Sequence, residues 1–417
     1  MFLSSKVMLK VILGGQEVAL LNDYIESGLL DRKDKDGNTL LVKSIIDADI
    51  ELAKLLIESG ADLNIDLNLK DDSGNTALMN AVNRGNIELA KLLIKNKAKL
   101  DIQNNSGNTA LMWAVGIEKK ELAKLLIDKG ADLNLKDDSG NTALMIAINK
   151  GNTELTKLLI DKGADLNVKD DSGITALMIA INRGNTELTK LLIDKEADIN
   201  LKDKSGNTAL MNAVNRGNIE LAKLLIKNKA KLDIQNNGRR TALMIAVRRR
   251  KIKIKIELVE LLIESGADLN IKDNRGFTVL MNAVNRGNIE LAKALIEGEA
   301  DINLKDKSGN TALMNAVNRG NIELAKLLIE GGANPFLKSK NGKNALDLAR
   351  VLKKQEVVDL IESKSAVKIQ AKVRGMQSRA KVKKLIKDGL TEQASNRSEL
   401  SHDSQNHKES QLKTNKK

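Results

Sequence analysis

One short phrase opening on threonine returns at Thr39, Thr76, Thr109, Thr142, Thr175, Thr208, Thr241, Thr278 and Thr311, with Asn344 in the tenth place. Successive intervals are 33 residues, apart from two of 37, and residues 73–105 and 205–237 are identical throughout. A unit this short cannot bury an apolar face by itself, so each copy must be covered by its neighbours. That requirement excludes most compact domain types before any single residue is considered.

Inside a unit, T-A-L-M-x-A-[VI] spaces apolar residues as one face of a helix, and N-R-G-N breaks it. Gly85, Gly151, Gly184, Gly217, Gly287 and Gly320 stand where a left-handed residue ends that helix. A second helical pattern follows, as in Ile87-Glu-Leu-Ala-Lys-Leu-Leu-Ile94. It runs into G-A-D-L-N and then a turn rich in Asp, Ser and Gly. The next Thr then falls at a helix start, where its hydroxyl can accept from free backbone N–H groups.

Composition agrees with a helical, Leu/Ile/Ala-packed chain. Of 417 residues 42% are hydrophobic but only 1% aromatic, and there is one proline. There is no cysteine, which excludes disulfides, thiolate metal sites and a catalytic thiol. Both histidines, His402 and His407, lie in a polar C-terminal stretch, leaving the repeats without a His-based triad or metal site.

The period and pattern closely resemble the ankyrin repeat, whose T-P-L-H-x-A-A and L-L-x-x-G-A-[DN]-x-N elements correspond to T-A-L-M-x-A-V and L-L-I-x-x-G-A-D-L-N here. The resemblance covers roughly residues 5–363. It implies an all-α solenoid of helix–turn–helix pairs with finger-like turns. One departure is systematic: Ala and Met, as in Ala77 and Met79, replace the family's Pro and His. Apolar packing of Met must then stand in for the hydrogen bonds of that His.

Residues 1–36, with two helical patterns around Gly14-Gly15, are expected to cap the array at its start, and 37–342 to form the tandem repeats. Residues 343–363 are expected to close it. The two four-residue insertions are expected between helices: Ile65-Asp66-Leu67-Asn68 in a finger, and the basic stretch Arg248–Lys255 as an enlarged inter-helix loop. The unit holding that loop also has Arg239 where its neighbours have Gly.

In the ankyrin family the finger tips and the open side of the first helix form a concave protein-binding surface. The position four after each Thr is variable here, and reads Trp113, Ile146 and Ile179 on three successive units. The family geometry places these side by side, with Arg84, Lys150 and Arg183 around them. As an exposed stripe they form a protein interface anchored by Trp113. As side chains leaning into the groove between repeats they are core. The residues leave both readings open.

The formal charge of +13 is concentrated. Residues 364–387 carry nine basic residues and no acid, and 248–255 (RRRKIKIK) carry six, which together exceed the whole net charge. The second stretch (Arg248, Arg249, Arg250, Lys251, Lys253, Lys255) reads either as a strand-like amphipathic loop for acidic protein, phosphate or lipid, or as a solvated loop.

Residues 364–388 are expected to form a basic amphipathic helix. Ile369-Gln370, Arg374-Gly375, Arg379 and Val382 match the IQ motif, I-Q-x-x-x-R-G-x-x-x-R-x-x-[hydrophobic]. Helical spacing puts Ile369, Val373, Met376 and Ala380 on one face. The resemblance implies capture by calmodulin or a calmodulin-like protein, with Gln370 and Arg374 as polar anchors and Gly375 allowing close approach. A helix that extends the closing repeat, or one that lies on an anionic membrane, fits the same pattern. Residues 389–417 are expected to be disordered.

The leading expectation is a cytoplasmic, monomeric, non-enzymatic interaction scaffold without a cofactor. The alternative is a binder of nucleic acid or anionic membrane through 248–255 and 364–387, opposed by a nearly neutral array without stacking aromatics beside the basic runs. Asp71, Asp137, Asp170, Asp203, Asp273 and Asp306 recur in one register, as turn formers do and catalytic residues do not. Residue usage rich in Lys, Asn and Ile fits an AT-rich genome; in a bacterium an IQ motif would imply delivery into a eukaryotic host.

Overall fold

The structure, a computed structural model, describes residues 32–47, 49–60, 67–248 and 252–365. The N-terminal cap up to residue 31, the first half of the Ile65–Asn68 insertion, Arg249, Arg250 and Lys251, and the whole IQ motif lie outside the described residues. Elsewhere the chain is all α-helical, apart from an isolated bridge between Lys169 and Thr175.

Each unit holds two short helices, and the capping chemistry repeats with it. In the Thr142 repeat these are Ala143–Lys150 and Thr153–Asp161. The buried Thr142 hydroxyl accepts from the Met145 N–H at 3.4 Å. Gly151, at φ 76°, closes the first helix by donating to the Ile148 carbonyl. Asn152 opens the second, its side-chain oxygen accepting from the Leu155 N–H at 3.0 Å. The Gly-Asn pair thus stops one helix and starts the next within two residues. Where the Thr109 repeat lacks it, Glu118 takes the left-handed turn at φ 59° and Lys119 supplies no side-chain cap.

The chain divides into two compact units: the described residues up to Ala283 with Lys293–Asp301, and Val284–Ala292 with the described residues from Ile302. In the first, the first helices of the Thr39 to Thr241 repeats pack one on the next, and most of their second helices stack likewise. Leu144, Met145, Ala147 and Ile148 are buried from one repeat, and Leu155 and Leu159 from its second helix. The methionines that replace the family's His are buried in every described copy. Burying one such side chain contributes about 1.5–3 kcal/mol.

The fingers are tied by polar bonds that recur from copy to copy. Asp137 accepts from the Ser139 and Asn141 N–H groups at 2.9 and 2.7 Å, closing the turn that its register predicts. The Asp171 N–H donates to the Ser139 carbonyl of the preceding finger at 3.1 Å. Lys136 Nζ reaches forward to the Lys169 carbonyl at 2.9 Å, and Lys169 Nζ to that of Lys202 at 2.8 Å. Asn134 accepts from the Asp165 N–H at 2.8 Å, which gives the Asn of G-A-D-L-N its purpose. Much of the array's apparent surface charge is therefore bound up in joining neighbours.

In the second unit the Thr311 repeat shows the same caps, and the last copy opens with Asn344 in place of Thr. Asn344 and Asp347 form a reciprocal capping box at 2.9 and 3.0 Å. Val357, Val358 and Ile361 bury the inner side of the last helix, while Val351 and Leu352 are exposed.

The expectation of a loop through Lys255 is corrected. The second helix of the Thr241 repeat spans Ile252–Glu264, thirteen residues against nine in the Thr208 repeat, so Lys253 and Lys255 occupy an added helical turn. Four residues rotate a helix by about 40° beyond one full turn, so the insertion extends the helix while keeping its apolar stripe close to register. Leu258, Val259 and Leu262 accordingly remain fully buried.

Candidate partner-binding surface

The variable register lies on the first helix, against the finger of its own repeat. Its polar residues show where it points: Lys43 approaches Asp34 at 3.8 Å, and Asn80 donates to Asp71 at 3.2 Å. Asn282 instead turns back to the Thr278 carbonyl and is buried. Trp113, Ile146 and Ile179 occupy this register on three consecutive, mutually packed first helices, and all three are half-buried.

The two readings of this stripe merge in its geometry. A Cβ built on Gly116 would lie 4.0 Å from Cγ2 of Ile146, so the isoleucine leans toward the preceding repeat. The Trp113 Nε1 is buried without a hydrogen-bond partner. What the stripe presents outward is partial apolar area rather than a polar handle.

Among the basic residues read as its flanks, Arg84 and Lys150 are exposed at the end of their helices. Arg183 is engaged: its Nε and Nη2 both donate to Oδ1 of Asn149 in the preceding repeat, at 3.0 and 2.7 Å. Arg248 is half-buried at the end of its first helix. The other described members of the basic stretch, Lys253 and Lys255, lie on the added turn.

Sequence reasoning missed Arg240. It lines a cleft of about 520 Å³ with Met211, Asn212, Ile245 and Arg248, and its Nε is buried without a hydrogen-bond partner. A signal was present: six of the other units place Asn immediately before their Thr. No group of three or more His, Cys, Asp or Glu among the described residues is arranged to hold a metal ion. Nor is any helix there long and apolar enough to cross a membrane.

The family model for ankyrin repeats (three copies) matches residues 63–137, 117–203, 177–273, 251–339 and 280–372. The chain is an ankyrin-repeat protein. The overlapping matches together span residues 63–372, and the helix pairs with finger-like turns are the ankyrin-repeat α-solenoid class. Among solved structures the array is similar to the crystal structure of the ankyrin repeat domain of Bcl-3, described as a unique member of the IkappaB protein family. That likeness is 31% identical, covers 51% of this chain and 95% of the other, and has a TM-score of 0.46. No curated protein matches the ankyrin chain significantly.

Proposed function

We propose that the ankyrin array is a non-enzymatic scaffold that captures a protein partner on the stripe Trp113, Ile146 and Ile179, between Arg84 and Arg183. The observation that carries this reading is the half-burial of three large apolar side chains in one register of three adjoining repeats. Partly covered side chains of this kind hold their rotamers before a partner arrives, which lowers the entropy lost on binding. Tryptophan at the centre of such a patch is the residue type that most often dominates binding energy.

The duplication supplies the substitutions that test it. Other repeats carry Asn in this register (Asn80, Asn212, Asn282, Asn315), so Trp113→Asn and Ile146→Asn should fold as those repeats do. Proteins retained by the full chain are compared with those retained by the variants. Partners lost with Trp113→Asn support the reading; an unchanged set removes it.

A second element of the proposal is capture of calmodulin or a calmodulin-like protein by 364–388. It rests on the six IQ positions Ile369, Gln370, Arg374, Gly375, Arg379 and Val382. Retention on immobilised calmodulin, with and without calcium, is expected to disappear in Ile369→Ala/Arg374→Ala. Retention of that variant on acidic vesicles or nucleic acid alone would favour the anionic-surface reading instead.

A further inference from the structure

Residues 73–105 recur unchanged at 205–237, so this chain contains one groove wall twice. Met79 and Asn80 in the first copy are Met211 and Asn212 in the second. The facing residues of the following repeat differ. Beside the first copy they are Asn108, Trp113 and Gly116; beside the second they are Arg240, Ile245 and Arg248. One wall has thus been kept while its opposite changed from aromatic and neutral to cationic.

Four changes in the Thr241 repeat raise its positive charge, although Gln235 and Asn237 stand for Lys202 and Lys204 in the finger. Relative to the Thr208 repeat, Asn236 stands for Asp203, Arg239 for Gly206, Arg240 for Asn207 and Arg248 for Asn215. Each removes an acid or adds a base. Arg239 does so at φ 52°, in a conformation that disfavours any side chain. Arg240 makes no ion pair among the described residues, and its buried Nε lacks an acceptor. Leaving a guanidinium donor buried and unmatched is costly, and an incoming oxyanion offsets that cost.

We propose that the cleft between the Thr208 and Thr241 repeats is a second recognition site, taking an aspartate- or glutamate-bearing extended peptide segment of a protein partner. The proposal deepens the scaffold reading and rests on it. The cleft has no acidic lining residue, and its two charged lining residues, Arg240 and Arg248, are both cations, which complements an acidic segment. Met211 and Ile245 offer apolar area for a side chain, and Asn212 carries the donor and acceptor that a peptide bond requires. A nucleic-acid strand would need a longer row of cations with stacking aromatics, whereas the next first-helix arginine, Arg216, is tied to Asn182 at 3.1 Å.

The test uses the full chain and a short aspartate-bearing peptide carrying a benzophenone and a fluorophore, beside its asparagine counterpart. The expected result is salt-sensitive binding of the aspartate peptide, with crosslinks on the 207–248 segment. Arg240→Asn/Arg248→Asn should weaken that binding by about tenfold or more, as loss of a charge-assisted pair does. Both asparagines are the residues of the Thr208 repeat, so the variant should fold and melt no lower than the parent. Crosslinks confined to 364–387, equal binding by the variant, or preferential occupancy of the cleft by single-stranded DNA would each overturn the proposal. Failure here with partner loss still seen in Trp113→Asn sinks the cleft alone. Peptide binding without any effect of Trp113→Asn sinks the stripe alone.

Discussion

The guanidinium of Arg183 holds the side-chain oxygen of Asn149, one repeat earlier, through two hydrogen bonds of 3.0 and 2.7 Å. The link recurs in the same unit between Arg216 and Asn182 at 3.1 Å, and in the second unit between Arg319 and Asn285 at 3.1 Å. A residue that reads as an exposed cation is in these copies a joint between repeats.

Asn149→Ala breaks that joint without touching the apolar stripe. Because the pair is exposed, the expected loss is small, about 0.5 kcal/mol, and falls mainly on the interface between the Thr142 and Thr175 repeats. Urea unfolding gives the total, and hydrogen exchange shows whether the loss is local to that interface.

From the Thr76 repeat to the Thr311 repeat a left-handed residue follows the second helix, but its identity varies. Gly163 has φ 89°, whereas Glu196 holds φ 65° at the same register of the next repeat. A side chain in that conformation costs about 1 kcal/mol relative to glycine. Glu196→Gly should therefore stabilise the array by about that amount, seen as a higher urea midpoint.

The finger glycines are constrained twice. Gly140 has φ 80°, and a Cβ on it would come within 2.6 Å of the Asp171 backbone nitrogen in the next finger. Gly140→Ala must strain the turn and push apart two fingers joined by the Asp171–Ser139 bond. A loss of about 2 kcal/mol or more is expected, with faster exchange of the Asp171 amide. Arg239 occupies this register in the Thr241 repeat, and Arg239→Gly is expected to be stabilising.

Asp128 and Lys162 link the ends of two second helices at 2.7 Å. The hydrogen bond from Lys162, reinforced by the charges of Lys162, Lys124 and Lys129, holds the Asp128 carboxyl below the usual carboxylate range. Its folded pKa is lower than its unfolded one, so its contribution is full above the ordinary aspartate pKa. That contribution fades as pH falls through the lowered folded value. Asp128→Asn should therefore be slightly less stable than the parent at neutral pH and converge with it in acid, as urea midpoints across pH would record. Added salt should narrow the neutral-pH difference, since the pair is exposed.

Local chemistry made much of the fold legible in advance. Thr142 caps its helix and Asp137 closes its turn through bonds spanning three and four residues, and Gly151 needs only its own φ. Such features depend on neighbours in the chain, and a repeat displays them many times over. The added turn at Ile252–Lys255 was harder to read, because a Lys/Ile alternation suits either a strand-like loop or a helix end. Only the apolar stripe that follows, anchored by Leu258 and Leu262, decides for the helix.

The sequence alone determined the period, the two helices of each copy, their caps and the need for neighbouring copies to cover one another, since all of these follow from short-range geometry and apolar spacing. Tertiary structure alone decided which surface groups remain available. Arg183 is tied to a residue 34 positions earlier, while Arg240 faces a wall supplied by the previous copy and finds no acceptor there. A groove between repeats belongs to two copies at once, so its charge and shape arise only when they stack.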